Sequence, residues 1–251
     1  MLRLAPLLLL AGCFLTSPTP PIQVLDHAEH GPERADGLVV FLPGFGDDGG
    51  VFERHGLVDI VREDTRFDAL GAHAHFGFYR DFSVLPRLET DVVGPALRMG
   101  YERIWLVGTS MGGFGAVSYA TAHPDEIAGV ILMAPYLGEP DVLDEIRSQG
   151  LAEWSPGELE GPAGDRADVT RRNWVWMKAQ LADPEGTPIY LGYGEQDPSV
   201  ADFQLLQNAL PEDHAYSIPG PHGWASWTPV FDELAGRALA SGPDERAGKP
   251  R

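Results

Sequence analysis

Ser110, between Gly108 and Gly112, is the strongest candidate for chemistry in this sequence. A run of bulky apolar residues at 104–107 precedes it and small residues follow it, which predicts a buried strand that turns sharply into a helix. A serine at the tip of such a turn has a strained backbone, and flanking glycines remove the clashes that side chains would make there. The pattern predicts that Ser110 is a nucleophile, with a purely structural strand-to-helix turn as the alternative.

A turn with four glycines, residues 43–50, follows the first predicted strand of the main domain. Backbone N–H groups in such a turn can point into open space, where they can stabilise a developing oxyanion. We assign this role to the N–H of Phe45, together with that of Met111, the residue after the candidate nucleophile. The alternative is a flexible loop in which Asp48 caps the next helix.

The rest of the sequence alternates strand patterns with helix patterns. Such alternation predicts an α/β fold with a mostly parallel, doubly wound sheet and helices on both faces. We expect one catalytic domain over residues 37–241, with a small cap or insertion at about 136–184. The predicted strands are 38–42, 67–74, 104–109, 128–134, 188–193 and 215–218. The predicted helices are 51–62, 86–99, 111–122, 141–147, 169–181, 203–210 and 227–238.

Several aromatic residues and one methionine are candidates for a substrate pocket. Phe76 and Tyr79 follow a predicted strand at its carboxyl end, where ligands gather in parallel sheets. Trp174, Trp176 and Met177 lie on a predicted helix of the 136–184 connection, which we expect to lie over the active-site edge of the sheet. Packing into the core is the alternative for all of these side chains.

The amino terminus has the composition of an export signal. Residues 1–12 combine Arg3 with a short apolar run, and the sequence from Leu10 to Cys13 resembles the lipobox of bacterial lipoproteins. This resemblance implies cleavage before Cys13 and a lipid on its sulfur, and so a cell-envelope protein, more readily at the outer than at the inner membrane. An ordinary cleaved signal and a cytosolic protein are the alternatives. We expect residues 13–36 to be a proline-rich tether and residues 242–251 a disordered tail.

Charge and histidine spacing limit the partners. The 251 residues carry 18 basic and 37 acidic side chains, a formal net charge of −19. This charge argues against nucleic acid or an anionic membrane face as an electrostatic partner. No pair of histidines has the spacing of a metal site, so we expect neither a metal nor a cofactor.

The order of elements and motifs from about residue 37 to residue 240 resembles the α/β-hydrolase superfamily of serine hydrolases. The resemblance implies that Ser110 is the nucleophile, that His222 in a loop after the last predicted strand is the general base, and that Asp197 orients His222. Glu195 and Asp141 remain alternatives for the acid.

The resemblance also implies a hydrolase, for which carboxylic esters of short to medium acyl length are the expected small-molecule substrates. The alternatives are a thioesterase, lipase or acyltransferase of the same fold, because one fold hosts many reactions. A lipid-tethered binding protein without catalytic turnover is an alternative from another class.

Overall fold

Seven strands form one sheet in the computed structural model, which describes residues 21–159, 161 and 163–240. All neighbouring strands are parallel except β1, which pairs antiparallel with β3. The order across the sheet is β1-β3-β2-β4-β5-β6-β7. The strands are β1 (Val24–Asp26), β2 (Gly37–Leu42), β3 (Phe67–Ala72), β4 (Ile104–Thr109), β5 (Gly129–Met133), β6 (Ile189–Gly194) and β7 (Ala215–Ile218).

Helices cover both faces of this sheet. As a result, every residue of the strands β2 to β6 is buried. Continuous apolar runs are typical of strands that are buried on both faces in this way. The helices of the described chain are α1 (Val51–Arg54), α2 (Leu57–Asp64), α3 (Phe76–Arg80), α4 (Val84–Leu88), α5 (Gly94–Met99), α6 (Met111–Ala122), α7 (Pro140–Gln149), α8 (Arg166–Ala182), α9 (Val200–Gln207) and α10 (Trp224–Ala238). A π-helix, Glu89–Val93, joins α4 to α5.

The helix predicted for residues 51–62 is instead two helices. Gly56, between α1 and α2, has a φ of 79°, a left-handed conformation that glycine adopts readily and that interrupts a helix. The segment from Phe76 to Arg80, for which we predicted no helix, forms α3, and the His75 side chain caps it by accepting from the Gly77 N–H.

The connection at 136–184 contains two helices, α7 and α8. α8 packs directly against α6, as the crossover helix of an ordinary strand-helix-strand unit does. Only α7 and the loop after it are additional. No helix in the described residues is long and apolar enough to cross a membrane.

The folded domain begins before residue 37, so the tether predicted for residues 13–36 is too long. β1 pairs with β3, and Ile22 is buried, with its N–H 2.8 Å from Asp91 Oδ2. The three residues of β1 are all exposed, and so short an exposed strand has no hydrophobic pattern that the sequence could reveal. The predicted signal peptide, Cys13 and the 242–251 tail lie outside the described residues, and the lipid anchor stays a prediction.

Asp68, on β3, holds the segment that follows β1 against the sheet. Its side chain accepts hydrogen bonds from the backbone N–H groups of Glu29, His30 and Gly31 at 2.8, 2.9 and 2.8 Å, and from the Tyr101 hydroxyl at 2.6 Å. Burial alone would raise the pKa of Asp68, but these four hydrogen bonds to the carboxylate outweigh it and lower the pKa.

We expect Asp68→Asn to lower the free energy of unfolding by about 2–4 kcal/mol at pH 7, because an amide NH₂ group would face N–H donors. Urea unfolding measures this loss, and Asp64→Asn, an exposed change on α2, is the matched control. Because the folded-state pKa of Asp68 is lowered, its contribution is complete above the ordinary aspartate pKa of about 4 and is lost as the pH falls through the folded-state value. Equal stability of Asp68→Asn and wild type at pH 7 would contradict this account.

Candidate active site

Ser110 lies in a strained turn between β4 and α6. Its backbone has φ 49° and ψ −115°, a region that residues other than glycine rarely occupy. A Cβ atom on Gly108 would lie 2.4 Å from the backbone of Gly112, and one on Gly112 would lie 2.0 Å from the Leu42 carbonyl oxygen. The two glycines therefore permit the close packing that the turn requires, for the reason that the sequence suggested.

His222 and Asp197 form a hydrogen-bonded pair. The distance between His222 Nδ1 and Asp197 Oδ2 is 2.5 Å, and the Asp197 side chain is completely buried. The other oxygen of Asp197 accepts from the Ser199 N–H at 2.9 Å, which fixes the carboxylate. Because Asp197 occupies Nδ1, Nε2 is the imidazole nitrogen that remains available for proton transfer.

The loop that carries His222 is held by the start of α10 and by the turn that carries Asp197. The Ser226 hydroxyl donates to the Pro221 carbonyl at 2.8 Å, and the Gln196 N–H donates to the Gly220 carbonyl at 2.9 Å. The ends of β6 and β7, which are paired in the sheet, thus deliver the acid and the histidine to the same place.

A pocket of about 320 Å³ contains Ser110, Asp197 and His222. We call it the catalytic pocket; Ala134, Pro135, Tyr136, Pro198 and Ser199 complete its lining. Within the described residues, no hydrogen bond joins Ser110 Oγ to His222. Such bonds are often long in enzymes without substrate and shorten in the productive complex. The structure thus brings together three of the predicted site residues.

The two alternative acids lie elsewhere. Asp141 is exposed in the first turn of α7. Glu195 is also exposed, with its Oε1 3.3 Å from the Ser217 hydroxyl. Asp197 is therefore the carboxylate whose position suits the orientation of His222.

The glycine-rich turn after β2 passes beside Ser110. A Cβ atom on Gly44 would lie 3.3 Å from Ser110 Cβ, so a side chain there would crowd the serine. Met111 is the first residue of α6, where helix N–H groups have no partner within the helix. These placements are compatible with the oxyanion role of the Phe45 and Met111 N–H groups, which stays a prediction.

An aromatic chain links His55, just after α1, to His222, and sequence reasoning did not predict these contacts. Trp224 stacks on His55 at 4.4 Å and contacts Trp227 edge-to-face at 5.0 Å, and Trp227 contacts His222 edge-to-face at 4.9 Å. Burial raises the pKa of Asp47, while a hydrogen bond from Trp224 opposes this rise. The i, i+3 spacing of the two tryptophans just after His222 was the available signal.

Trp174 does not line the catalytic pocket, contrary to the prediction. It is completely buried, and its indole N–H donates to the Leu137 carbonyl at 3.0 Å. Trp176 and Met177 are also buried in the core. The apolar face of α8 packs on the domain, which was the alternative considered for these residues.

The two candidates on α3 differ in exposure. Tyr79 is buried, and its hydroxyl oxygen lies 2.4 Å from the position that a Cβ atom on Gly115 would occupy. Burial raises the pKa of this hydroxyl. Tyr79 is thus a packing residue against α6. Phe76 is only partly buried and contacts Phe45 edge-to-face at 4.9 Å, so it remains a candidate for substrate contact.

In the part of the chain that the structure describes, no group of three or more His, Cys, Asp and Glu side chains is placed to hold a metal ion. The side chains of the catalytic pocket that can exchange a proton are those of Ser110, Tyr136, Asp197, Ser199 and His222. Their arrangement can activate a hydroxyl group by proton transfer to an imidazole.

A sequence model of the alpha/beta hydrolase fold matches residues 96–170, a segment that includes Ser110. No curated protein matches the chain in sequence. Among solved structures, Est1E from Butyrivibrio proteoclasticus is similar with a TM-score of 0.61 and 19% identity, over 88% of this chain and 95% of that one. The fluorophosphonate-binding serine hydrolase FphF of Staphylococcus aureus is similar with a TM-score of 0.57 and 15% identity, over 88% and 100%.

S-formylglutathione hydrolase (FrmB) from Staphylococcus aureus is also similar, with a TM-score of 0.57 and 13% identity over 90% of this chain and 100% of that one. Identities this low establish the fold alone. Together with the seven-stranded sheet in the described residues, they confirm the predicted α/β-hydrolase fold.

Proposed function

We propose that this protein is a serine hydrolase that cleaves carboxylic esters of short to medium acyl length. The observation that carries the proposal is the strained Ser110 in one pocket with the hydrogen-bonded pair of His222 and Asp197. The similar solved structures include a serine hydrolase and a ferulic acid esterase, which supports this proposal.

In the first half of the reaction, Ser110 Oγ attacks the ester carbonyl carbon while its proton passes to His222 Nε2. The carbonyl oxygen becomes an oxyanion, which the N–H groups of Phe45 and Met111 stabilise. The carbon–oxygen bond to the alcohol then breaks, the proton on His222 passes to the departing alcohol, and an acyl group remains on Ser110.

In the second half, water attacks the acyl carbon and gives a proton to His222 Nε2. The bond to Ser110 Oγ breaks, the proton returns to the serine, and the carboxylic acid leaves. Throughout, Asp197 accepts a hydrogen bond from His222 Nδ1–H. This bond holds the imidazole in the tautomer whose Nε2 can accept a proton, and it stabilises the imidazolium that forms.

A fluorophosphonate probe tests the proposal, because it modifies only an activated serine. We expect one equivalent of probe to be incorporated at Ser110, as identified by peptide mass spectrometry, together with hydrolysis of 4-nitrophenyl acetate. Ser148→Ala, a change of an exposed serine on α7, is the matched control and should label like wild type.

Labelling that persists in Ser110→Ala would refute the assignment of the nucleophile. A folded protein that neither labels nor hydrolyses any short ester would instead support the non-catalytic binding protein.

A further inference from the structure

A second pocket adjoins the catalytic pocket and continues its lining. Its volume is about 160 Å³, and it shares Pro135, Tyr136 and Ser199 with the catalytic pocket. It extends from these shared residues to Leu143 and Arg147 of α7. We call it the α7 pocket. Because the two pockets share three lining residues, they are neighbours, and one group of an ester bound at Ser110 can extend towards the α7 pocket.

Apolar side chains form part of the lining of the α7 pocket. Leu137 and Leu143 are 5% and 4% exposed, and they line it together with Pro135 and the ring of Tyr136. An apolar cavity of about 150 Å³ is large enough to hold benzene. The α7 pocket therefore has room for one ring or for a chain of about six carbons.

Asp144, Arg147 and Asp202 line the α7 pocket and none of the three lines the catalytic pocket, so we call their side of the α7 pocket its far end. Arg147 Nη2 lies 2.7 Å from Asp202 Oδ1, and Nη1 of the same guanidinium contacts Asp144 Oδ1. Two carboxylates thus surround one guanidinium, and the local sum of charge is −1. This set offers no free cation to a carboxylate group, and the net charge of −19 adds repulsion of the same sign.

We infer that the α7 pocket binds one of the two groups of the ester, as a neutral group of one ring or up to about six carbons, and that it disfavours a group that carries a carboxylate. The inference rests on the proposed function and specifies the substrate class of the same site. The group belongs either to the acyl side or to the alcohol side of the ester, and two substrate series distinguish these sources.

The first experiment measures kcat/KM of the full chain for two ester series. One series is the 4-nitrophenyl esters of acids from two to twelve carbons, and the other is the acetates of ethanol, butanol, hexanol, decanol and benzyl alcohol. Each methylene buried in an apolar pocket contributes up to about fourfold. We expect one of the two series to rise by at least about thirtyfold up to six carbons and to stop rising beyond that length.

Two substitutions of Leu143 connect this preference to the α7 pocket. Leu143→Phe fills the pocket and should reduce the rise to less than about threefold. Leu143→Ala enlarges it and should move the optimum to longer chains by about two carbons or more. Leu97→Phe, the same change on a partly buried position of α5, should leave the series as in wild type. Thermal unfolding confirms that each variant is folded.

The charge at the far end has its own test. For the series that shows the rise, a six-carbon group with a terminal carboxylate should be at least about tenfold poorer than the neutral six-carbon group. Asp202→Asn removes one carboxylate and should raise kcat/KM for the anionic ester, relative to that for the neutral ester, by about fivefold or more. Asp64→Asn, on α2, is the matched control and should change neither value.

Flat chain-length profiles in both series, or a rise that neither Leu143 variant alters, would overturn the inference. So would equal rates for the anionic and the neutral six-carbon esters. Each of these results leaves the proposed function standing if the wild type hydrolyses the smallest ester through Ser110. Failure to hydrolyse the smallest ester, in contrast, counts against the proposed function itself.

Discussion

Ser110→Ala and His222→Ala are each expected to abolish ester hydrolysis, with a loss of kcat of about a million-fold. The losses should be similar because Ser110 and His222 act in one proton transfer, and neither is useful without the other. For the same reason the double variant should be no worse than either single variant. Measurement of 4-nitrophenyl acetate hydrolysis at enzyme concentrations high enough to detect the residual rate compares the three.

The structure indicates that Ser110→Ala should fold, and it offers Ser148→Ala as a control variant. Ser110→Ala keeps the Cβ atom in a backbone with positive φ, so the variant should fold like wild type. Ser148→Ala should retain full activity. Activity within tenfold of wild type in either single variant would contradict the proposed nucleophile or the proposed base. A large difference between the two losses would show that Ser110 and His222 do not act as a unit.

The sequence predicted the central sheet well because the strands β2 to β6 are buried on both faces, so each appears as a continuous apolar run between turns. The turn at Ser110 was also predictable, because glycines at 108 and 112 are required where the backbone of one element meets that of another. In both cases the structural cause lies within a few residues of the feature, and the local sequence records it.

The features that sequence reasoning missed depend on distant contacts. β1 exists because it pairs with β3, and the order of the segment after it depends on Asp68. The spacing of apolar residues along α8 is the same whether the helix lines a pocket or packs on the core. Only the packing of α8 against α6 decides between these, and it places Trp174 in the core.

The choice of the acid was open for a similar reason. Asp141 and Asp197 each follow a predicted strand, and in a parallel sheet the carboxyl ends of all strands meet at one edge. The sequence could not decide between them because the choice depends on which turn approaches the histidine loop. In the structure Asp197 is hydrogen-bonded to His222, whereas Asp141 lies in the first turn of α7.

Asp197→Asn is expected to lower kcat by about ten-thousand-fold while the fold is retained. An asparagine has the same shape, and its side-chain oxygen can still accept the hydrogen bond of 2.9 Å that Ser199 N–H gives to Asp197 Oδ1. Its NH₂ group then faces His222 Nδ1, in place of the oxygen at 2.5 Å. An NH₂ group donates, so Nδ1 must accept, and the imidazole proton moves to Nε2.

An imidazole with its proton on Nε2 cannot take the proton of Ser110, so the variant loses the activation of the nucleophile but keeps the catalytic pocket. We therefore expect KM to stay within a few-fold of wild type and kcat to carry the loss, with thermal unfolding showing an intact domain. Asp141→Asn is the matched control, because Asp141 also follows a strand but is exposed on α7, and it should keep full activity. If Asp141→Asn shows the large loss and Asp197→Asn does not, then the bond between Asp197 and His222 is structural and the acid of the triad lies on α7.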